Sequence, residues 1–404
     1  MSISRYGTRF TTIGTGGKAS SNYESFEVVP QFVERIKVQK SKYPLLLISE
    51  KLKNHKPTKF SEYFHTESDE PQIVVQVNGA INAAATSMVL ENTEAKWVRA
   101  YDQLYNPLTE EQFHVSAVNT VSHTLTVTRG VGNSGTGANV ADNQQLLIMS
   151  QSNAEGGTSQ SGVWGTSVQV KNYTMLTREP YELTEEGQNT ETYGYDNAWQ
   201  EAKTDAAVRL ARKMEWQVLF GKRDTGSTSG YRSTGGLGQF VSSHKTDVAG
   251  TLTEQTLYNW IRDLSVENGG VDDIVFYAGS YVLQYLDAWG RDRMYQRPED
   301  SVAGISIGRY KTSFGDLKVV NHGMLTETFD STTSPELPGM IFAVNMNMLK
   351  LVYWRPLVND EGPNGRGIQA NDSLTKKGEW RSHWGCYVGD ERKHGWMYGI
   401  TPLT

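Results

Sequence analysis

The chain has 404 residues, roughly two or three domains' worth at ~150 residues each, which excludes peptide hormones, zinc knuckles and disulfide miniproteins. Apolar residues make up 37% and charged residues 21%, and 10 Trp, 12 Phe and 20 Tyr supply real cores, so wholesale disorder is excluded. A net charge of −6 argues against a chain whose main task is gripping nucleic acid, and 39 Gly point to turns and loops rather than a helical bundle.

Cys386 is the only cysteine, so no internal disulfide or Cys-based metal site can form, and a reducing compartment is expected. No window approaches the ~18 apolar residues of a membrane span. A soluble chain made in a cytoplasm follows as the expectation.

Residues 1–22 are rich in Gly, Ser and Thr, and their only charges are Arg5, Arg9 and Lys18. Such a composition suits an arm that orders on contact. Residues 23–71 contain FVERIKVQ and PLLLISEKLK, both with rough helical spacing. From 72 to 150 the period falls to two: IVVQV, TSMVLE, KWVRAY, EQFHVSAV, HTLTVTR and QQLLIM read as strands. In HTLTVTR, Leu125 and Val127 share one face and Thr124, Thr126 and Thr128 the other. A small β barrel or sandwich is predicted there.

An extended arm, TSVQVKNYTMLTREPYELT, precedes the strongest helical pattern. Tyr195, Trp199, Ala202, Ala206, Leu210, Met214 and Val218 form its apolar stripe, Glu201, Asp205, Arg212 and Glu215 take the far side, and Gly221 takes the C-cap. A capping box from Thr251 to Glu254 opens a second helix, ended by Gly269 and Gly270. DIVFYAG then reads as a buried strand, SYVLQYLDAWG as a helix, and GDLKVV, GMIFAVN, LKLVYWRP, WGCYV and HGWMYGI as strands. The C-terminal half is mixed α and β.

The search for chemistry fails in informative ways. Gly130, Gly132 and Gly135 spell G-x-G-x-x-G, but no helix follows to receive a pyrophosphate, so a glycine hairpin loop is the plain reading. GTGGK at 14–18 lacks the P-loop spacing. The 8 His are scattered, the adjacent carboxylates Glu110/Glu111, Glu185/Glu186 and Asp272/Asp273 point in different directions, and no serine shows a nucleophile elbow. No catalytic residue, cofactor or metal site is expected, and no enzyme.

Several ordered motifs nevertheless resemble one family. HTLTVTRG, NAEGG, KNYTMLTREPYELT, the helix ending MEWQVLFG, and GGL at Gly235 to Leu237 are similar to tailed-bacteriophage major capsid proteins. YKTSFGDLKVV, FAVNMNMLKLVYWRPL and KKGEWRSHWGCYVGDERKHGWMYGI continue the likeness, which covers roughly 23–400.

The resemblance implies an α+β chain with the capsid fold shared by tailed phages and herpesviruses. Its parts would be a flexible N-terminal arm (1–22), an arm helix and the start of an extended loop (23–71), an inserted small β-barrel or sandwich domain (72–150) and the loop's return strand (151–192). A peripheral domain (193–249) with a long spine helix (193–221), a mainly axial domain (250–355) and C-terminal strands returning to the peripheral domain (356–404) would follow.

The implied function is a structural one: self-assembly through hexamers and pentamers into an icosahedral head around double-stranded DNA. The chain would be made in the host cytoplasm and end in the virion, with a portal and a scaffold or decoration protein as partners, weak contact with packaged DNA and no membrane. Arg178 and Glu179, beside Glu185 and Glu186, are the candidates to pair across subunits. A β-rich tail, fibre or carbohydrate-binding protein is the competing structural reading.

Overall fold

The computed structural model describes Leu45, Ser49 and residues 55–68, 71–91, 94–133, 137–153, 155–157, 160, 162–163, 165–184, 186–187, 197–227, 230–290, 294–295, 301–302, 305–326, 337–362, 367–369 and 374–403. The expected N-terminal arm, most of the arm helix, Tyr195 of the expected apolar stripe, Gly135 and Glu185 lie outside the described residues.

In chain order, β1 (His55–Pro57) and β2 (Glu62–Ser68) come first. Six strands follow: β3 (Val74–Gln76), β4 (Ser87–Val89), β5 (Asp102–Asn106), β6 (Glu111–Asn119), β7 (Thr124–Thr128) and β8 (Gln145–Gln151). Then come β9 (Ser167–Tyr173), β10 (Met175–Thr184), α1 (Ala198–Phe220), α2 (Leu237–Phe240), β11 (Lys245–Gly250), α3 (Glu254–Asn268), β12 (Ile274–Ala278) and α4 (Ser280–Gly290). The remainder is β13 (Met294–Tyr295), β14 (Ser301–Val302), β15 (Ile305–Thr312), β16 (Gly315–Asn321), β17 (Ile341–Asn345), β18 (Leu349–Asp360), β19 (Ile368–Gln369), β20 (Thr375–Val388) and β21 (Gly395–Ile400).

The chain divides into two compact units, residues 65–170 and the rest. In the first, the strand order is β3-β8-β5-β6-β7-β4. Every neighbouring pair is antiparallel, and a bridge between Val77 and Leu90 joins the first strand to the last. The sheet therefore closes into a barrel, which removes its edges. Val75, Met88, Leu104, Phe113, Val115, Leu125, Val127 and Leu146 fill the interior. The strand expected at KWVRAY does not form: Glu94–Lys96 is a 3-10 turn, and Tyr101 has φ 72. Trp97 and Val98 are consecutive and both buried, which alternation on a two-faced strand would forbid.

Glu111 and Arg129 continue the inward parity of Phe113 and Val127; Glu111 is buried, and the Arg129 side chain is only 7% exposed. Arg129 Nε and Nη2 donate to the two Glu111 carboxylate oxygens at 2.9 and 2.7 Å. The guanidinium also donates to the Asn82 and Ala138 carbonyls, and its centre lies 5.2 Å from the Phe113 ring centroid. Ala138 N donates to Glu111 at 3.0 Å.

Among the described residues, the other unit contains a sheet of eight strands and one of five. One has the order β11-β21-β17-β12-β16-β15-β13, with β14 on β15, and mixes parallel pairs (β11–β21, β12–β16) with antiparallel ones. Helices α3 and α4 share its core through Trp260, Ile261, Leu264, Val282 and Tyr285. The cap of α3 is Thr253, whose hydroxyl accepts from Thr256 N, so the helix starts two residues beyond the expected Thr251 cap. Gly269 ends it at φ 69, a left-handed conformation that suits glycine. The second sheet runs β1-β18-β20-β10, with β19 on β20.

Helix α1 packs on the core shared with this second sheet. Asn197, itself extended, caps it by accepting from Trp199 N and Gln200 N, so the helix starts five residues beyond the expected 193, and its 23 residues span about 35 Å. Gly221 is the C-cap, where a Cβ would collide with the Gln217 and Thr234 carbonyls. Ala206, Leu210, Met214 and Val218 are buried as the stripe requires, whereas Trp199 and Ala202 are half-buried.

Glu215 corrects the expected far side, because it is fully buried. Its Oε1 accepts from Leu45 N at 2.9 Å and lies 2.8 Å from His322 Nε2. Leu325 N donates to His322 Nδ1, so Nε2 carries the proton in the neutral ring. A carboxylate on the buried face is thus satisfied by groups from two distant segments.

Candidate assembly surface

Strand β10 alternates strictly, and its two faces do different work. Glu179 and Tyr181 point toward α1. Leu176, Arg178, Pro180 and Glu182 point outward and are exposed.

On the inner face, Arg209 and Lys213 are four residues apart and share one side of α1. Arg209 Nε donates to Glu179 Oε1 at 2.9 Å, and Lys213 Nζ to Oε2 at 2.5 Å. Burial pushes the Glu179 carboxyl up, but the hydrogen bonds from Lys213 and Arg209 outweigh it and hold the group below the ordinary carboxylate range. Tyr181 packs against Trp199 with ring centroids 4.9 Å apart, and its hydroxyl lies 2.6 Å from Glu361 Oε1, which Lys203 pairs at 3.0 Å. Burial and the Glu361 charge both raise the Tyr181 hydroxyl, so it stays protonated.

Replacing Glu179 with Ala removes two charge-assisted hydrogen bonds and is expected to cost about 1.5–3 kcal/mol, checked by denaturant unfolding at neutral pH. The folded carboxyl titrates below its unfolded value. Its contribution is therefore present above the unfolded value and lost as pH falls through the folded one, so wild type and variant converge in acid.

The outer face carries a charge ladder across three strands. Arg178 stands directly opposite Arg381 in the β10–β20 register, a pairing that repels unless an anion intervenes. Glu379 intervenes: Arg178 Nε and Nη2 donate to its Oε2 at 2.9 and 2.5 Å, and Arg381 Nη1 lies 3.9 Å from its Oε1. Arg381 Nη2 reaches Asp360 of β18 at 2.8 Å, and Lys377 meets Glu182 at 3.0 Å. Exposed pairs of this kind contribute about 0.2–1 kcal/mol each, so they orient charge more than they hold the fold.

Of the four candidate residues, Glu179 and Arg178 are thus turned to opposite faces. Glu179 serves the interior, Arg178 the outer face, Glu186 is exposed beyond the end of β10, and Glu185 lies outside the described residues. Glu379, Arg381 and Asp360 went unnoticed in the sequence. The signal for Glu379 and Arg381 is present in KKGEWRSHW, where Lys377, Glu379, Arg381 and His383 occupy alternate positions, whereas Asp360 stands on β18 and joins them only through sheet pairing.

Among the described residues, no group of three or more His, Cys, Asp or Glu could hold a metal ion, and no helix is long and apolar enough to cross a membrane. Cys386 is buried in β20, and burial pushes its thiol up to about 12.

Comparison with known proteins agrees with this architecture. The structure is similar to the capsid of a native GTA particle, with a TM-score of 0.50 at 8% identity, covering 95% of this chain and 99% of that one. It is also similar to a structure from Mycobacterium phage Ogopogo (TM-score 0.47, 10% identity, 93% and 98% covered) and to the mature capsid of bacteriophage PhiM1 (TM-score 0.39, 9% identity, 64% and 80% covered). The first of these likenesses shows the shared capsid fold. No curated protein matches the chain. A family model described as SU10 major capsid protein matches residues 6–401. Matched over almost its whole length and folded as capsid subunits are, the chain belongs to the SU10 major capsid protein family, structural components of phage-type heads.

Proposed function

We propose that copies of this chain assemble through hexamers and pentamers into a closed icosahedral shell that encloses double-stranded DNA. The observation that carries this reading is the family match across residues 6–401. A shell subunit gains its stability from many modest contacts with its neighbours, and a mixed-charge face set in advance suits that task. Arg178, with Glu185 and Glu186 beyond the strand, contributes contacts between subunits, while Glu179 holds β10 to α1 within one subunit.

In this reading the barrel domain, 72–150, is an insertion in the extended loop, 151–192 is the loop's return, α1 is the spine of the peripheral domain, 250–355 is mainly axial, and 356–404 returns to the periphery. The N-terminal arm touches packaged DNA only weakly, because Arg5, Arg9 and Lys18 release few counterions. Assembly takes place in the host cytoplasm, with a portal and a scaffold or decoration protein as partners.

Electron microscopy of the purified chain, alone and with a scaffold, tests the proposal. Closed shells of uniform diameter with fivefold vertices are expected. Sedimentation as monomers or small oligomers under every salt, pH and scaffold condition would overturn it.

A further inference from the structure

A groove of about 410 Å³ opens on the outer face between β10, β18 and β20. Three guanidinium groups line it, those of Arg178, Arg355 and Arg381, against the single carboxylate of Glu379. Arg178 and Arg381 are engaged by Glu379 and Asp360. Arg355 differs: it is exposed, and among the described residues no carboxylate pairs with it.

Arg355 also has a cationic companion. Arg232, likewise exposed, lies near enough to His383 that both arginines add to burial in lowering that imidazole. His383 is therefore neutral near pH 7 and neither adds to nor cancels the local charge. Its ring is 4.6 Å from the Trp354 indole, which is 42% exposed. Leu176 and Val358, which line the same groove, add exposed aliphatic surface.

Arginine and tryptophan bordered by aliphatic side chains form the composition that concentrates binding energy at protein interfaces. The excess positive charge selects an anionic partner. In a shell, the neighbour presented to every subunit is another copy, and this chain carries 45 acidic residues against 39 basic ones. Its densest acidic run is ESDE at 67–70, in which Glu67 already meets His65 at 2.7 Å and Asp69 and Glu70 supply two further carboxylates.

We infer that Arg355, with Arg232 and the Trp354–His383 pair, forms a docking site for the carboxylates of a second copy of this chain, supplied by its acidic run at 67–70. The inference rests on the shell-forming reading and adds a partner segment to it.

Two variants of the full chain test it. Cys386 is buried, so R355C introduces the one accessible thiol. Maleimide labelling is expected to be fast in free subunits and slower by at least an order of magnitude in shells, because an occupied interface core excludes solvent. R355K keeps the charge and supplies an amine that carbodiimide couples directly to a touching carboxylate. In shells assembled from mixed light and heavy isotope chains, mass spectrometry is expected to find mixed-isotope peptides joining position 355 to 67–70.

Equal labelling in shells and free subunits would overturn the docking site. So would coupling confined to one chain or directed to another segment, or protection that disappears in shells emptied of DNA, which would assign the site to phosphate. Failure of the wild-type chain to form shells is a separate result that strikes the shell-forming reading itself.

Discussion

Leu210→Asp is expected to remove the protein from the soluble fraction or leave it unable to assemble. Leu210 is 1% exposed and lies in the core that α1 shares with Leu349, Leu351, Trp384 and Val388. Aspartate there places an unpaired charge among apolar groups, a change that costs several kcal/mol and rivals the whole stability of a domain. Gln200→Ala, on the exposed side of the same helix, is the matched control and should leave the unfolding midpoint within ~0.5 kcal/mol of wild type. Arg212 lies about 200° round the helix from Leu210 but is half-buried, so it makes a poor control. Soluble, assembly-competent Leu210→Asp protein would show that this face of α1 is not packed as described.

Arg129→Ala is expected to destabilise the barrel by about 3–5 kcal/mol at neutral pH, because it strands a buried carboxylate. In the native barrel, burial raises the Glu111 carboxyl, but Arg129 together with the Ala138 and Gly130 amides brings it below the ordinary range. The folded value lies under the unfolded one, so this contribution is present above roughly pH 4.3 and fades as pH falls through the folded value. In the variant, burial acts without the guanidinium and the folded value rises above the unfolded one. The penalty is then greatest at neutral pH and shrinks on acidification, the opposite trend to wild type.

Hydrogen exchange at the Leu104, Val115 and Val127 amides, measured across pH, reads the barrel separately from the rest of the chain. A second change, Glu111→Leu in the same chain, should recover most of the loss, since a buried pair replaced by apolar groups is often neutral. Equal exchange in wild type and Arg129→Ala at every pH would mean that the pair contributes nothing to barrel stability.

Strand β7 and helix α1 show what the sequence by itself determined. Thr124–Thr128 alternates and is a strand, and Ala206, Leu210, Met214 and Val218 recur at helical spacing and are buried on one helix face. These patterns are local consequences of backbone geometry, with a side-chain period of two in a strand and 3.6 in a helix. The order of motifs also carried the capsid likeness, because those words follow one another along the chain. Strand β5 escaped because its inward positions are Asp102, Leu104 and Asn106, and two polar residues hide the alternation.

Tertiary structure alone decided the remaining features. Glu215 reads as a solvent-facing residue until Leu45 and His322, 170 and 107 residues away, arrive to satisfy its carboxylate. The bridge between Val77 and Leu90 closes the barrel, and β12 lies between β16 and β17, although neither arrangement leaves a mark on the strands' own periodicity. Glu179 and Arg178 are neighbours with equal claims to an intersubunit contact, but the pleat turns one toward Arg209 and Lys213 and the other toward Glu379. Periodicity specifies which residues share a face. Which surface that face meets depends on long-range packing, where burial and compensating charge from distant segments determine whether a polar side chain is held inside or left for a partner.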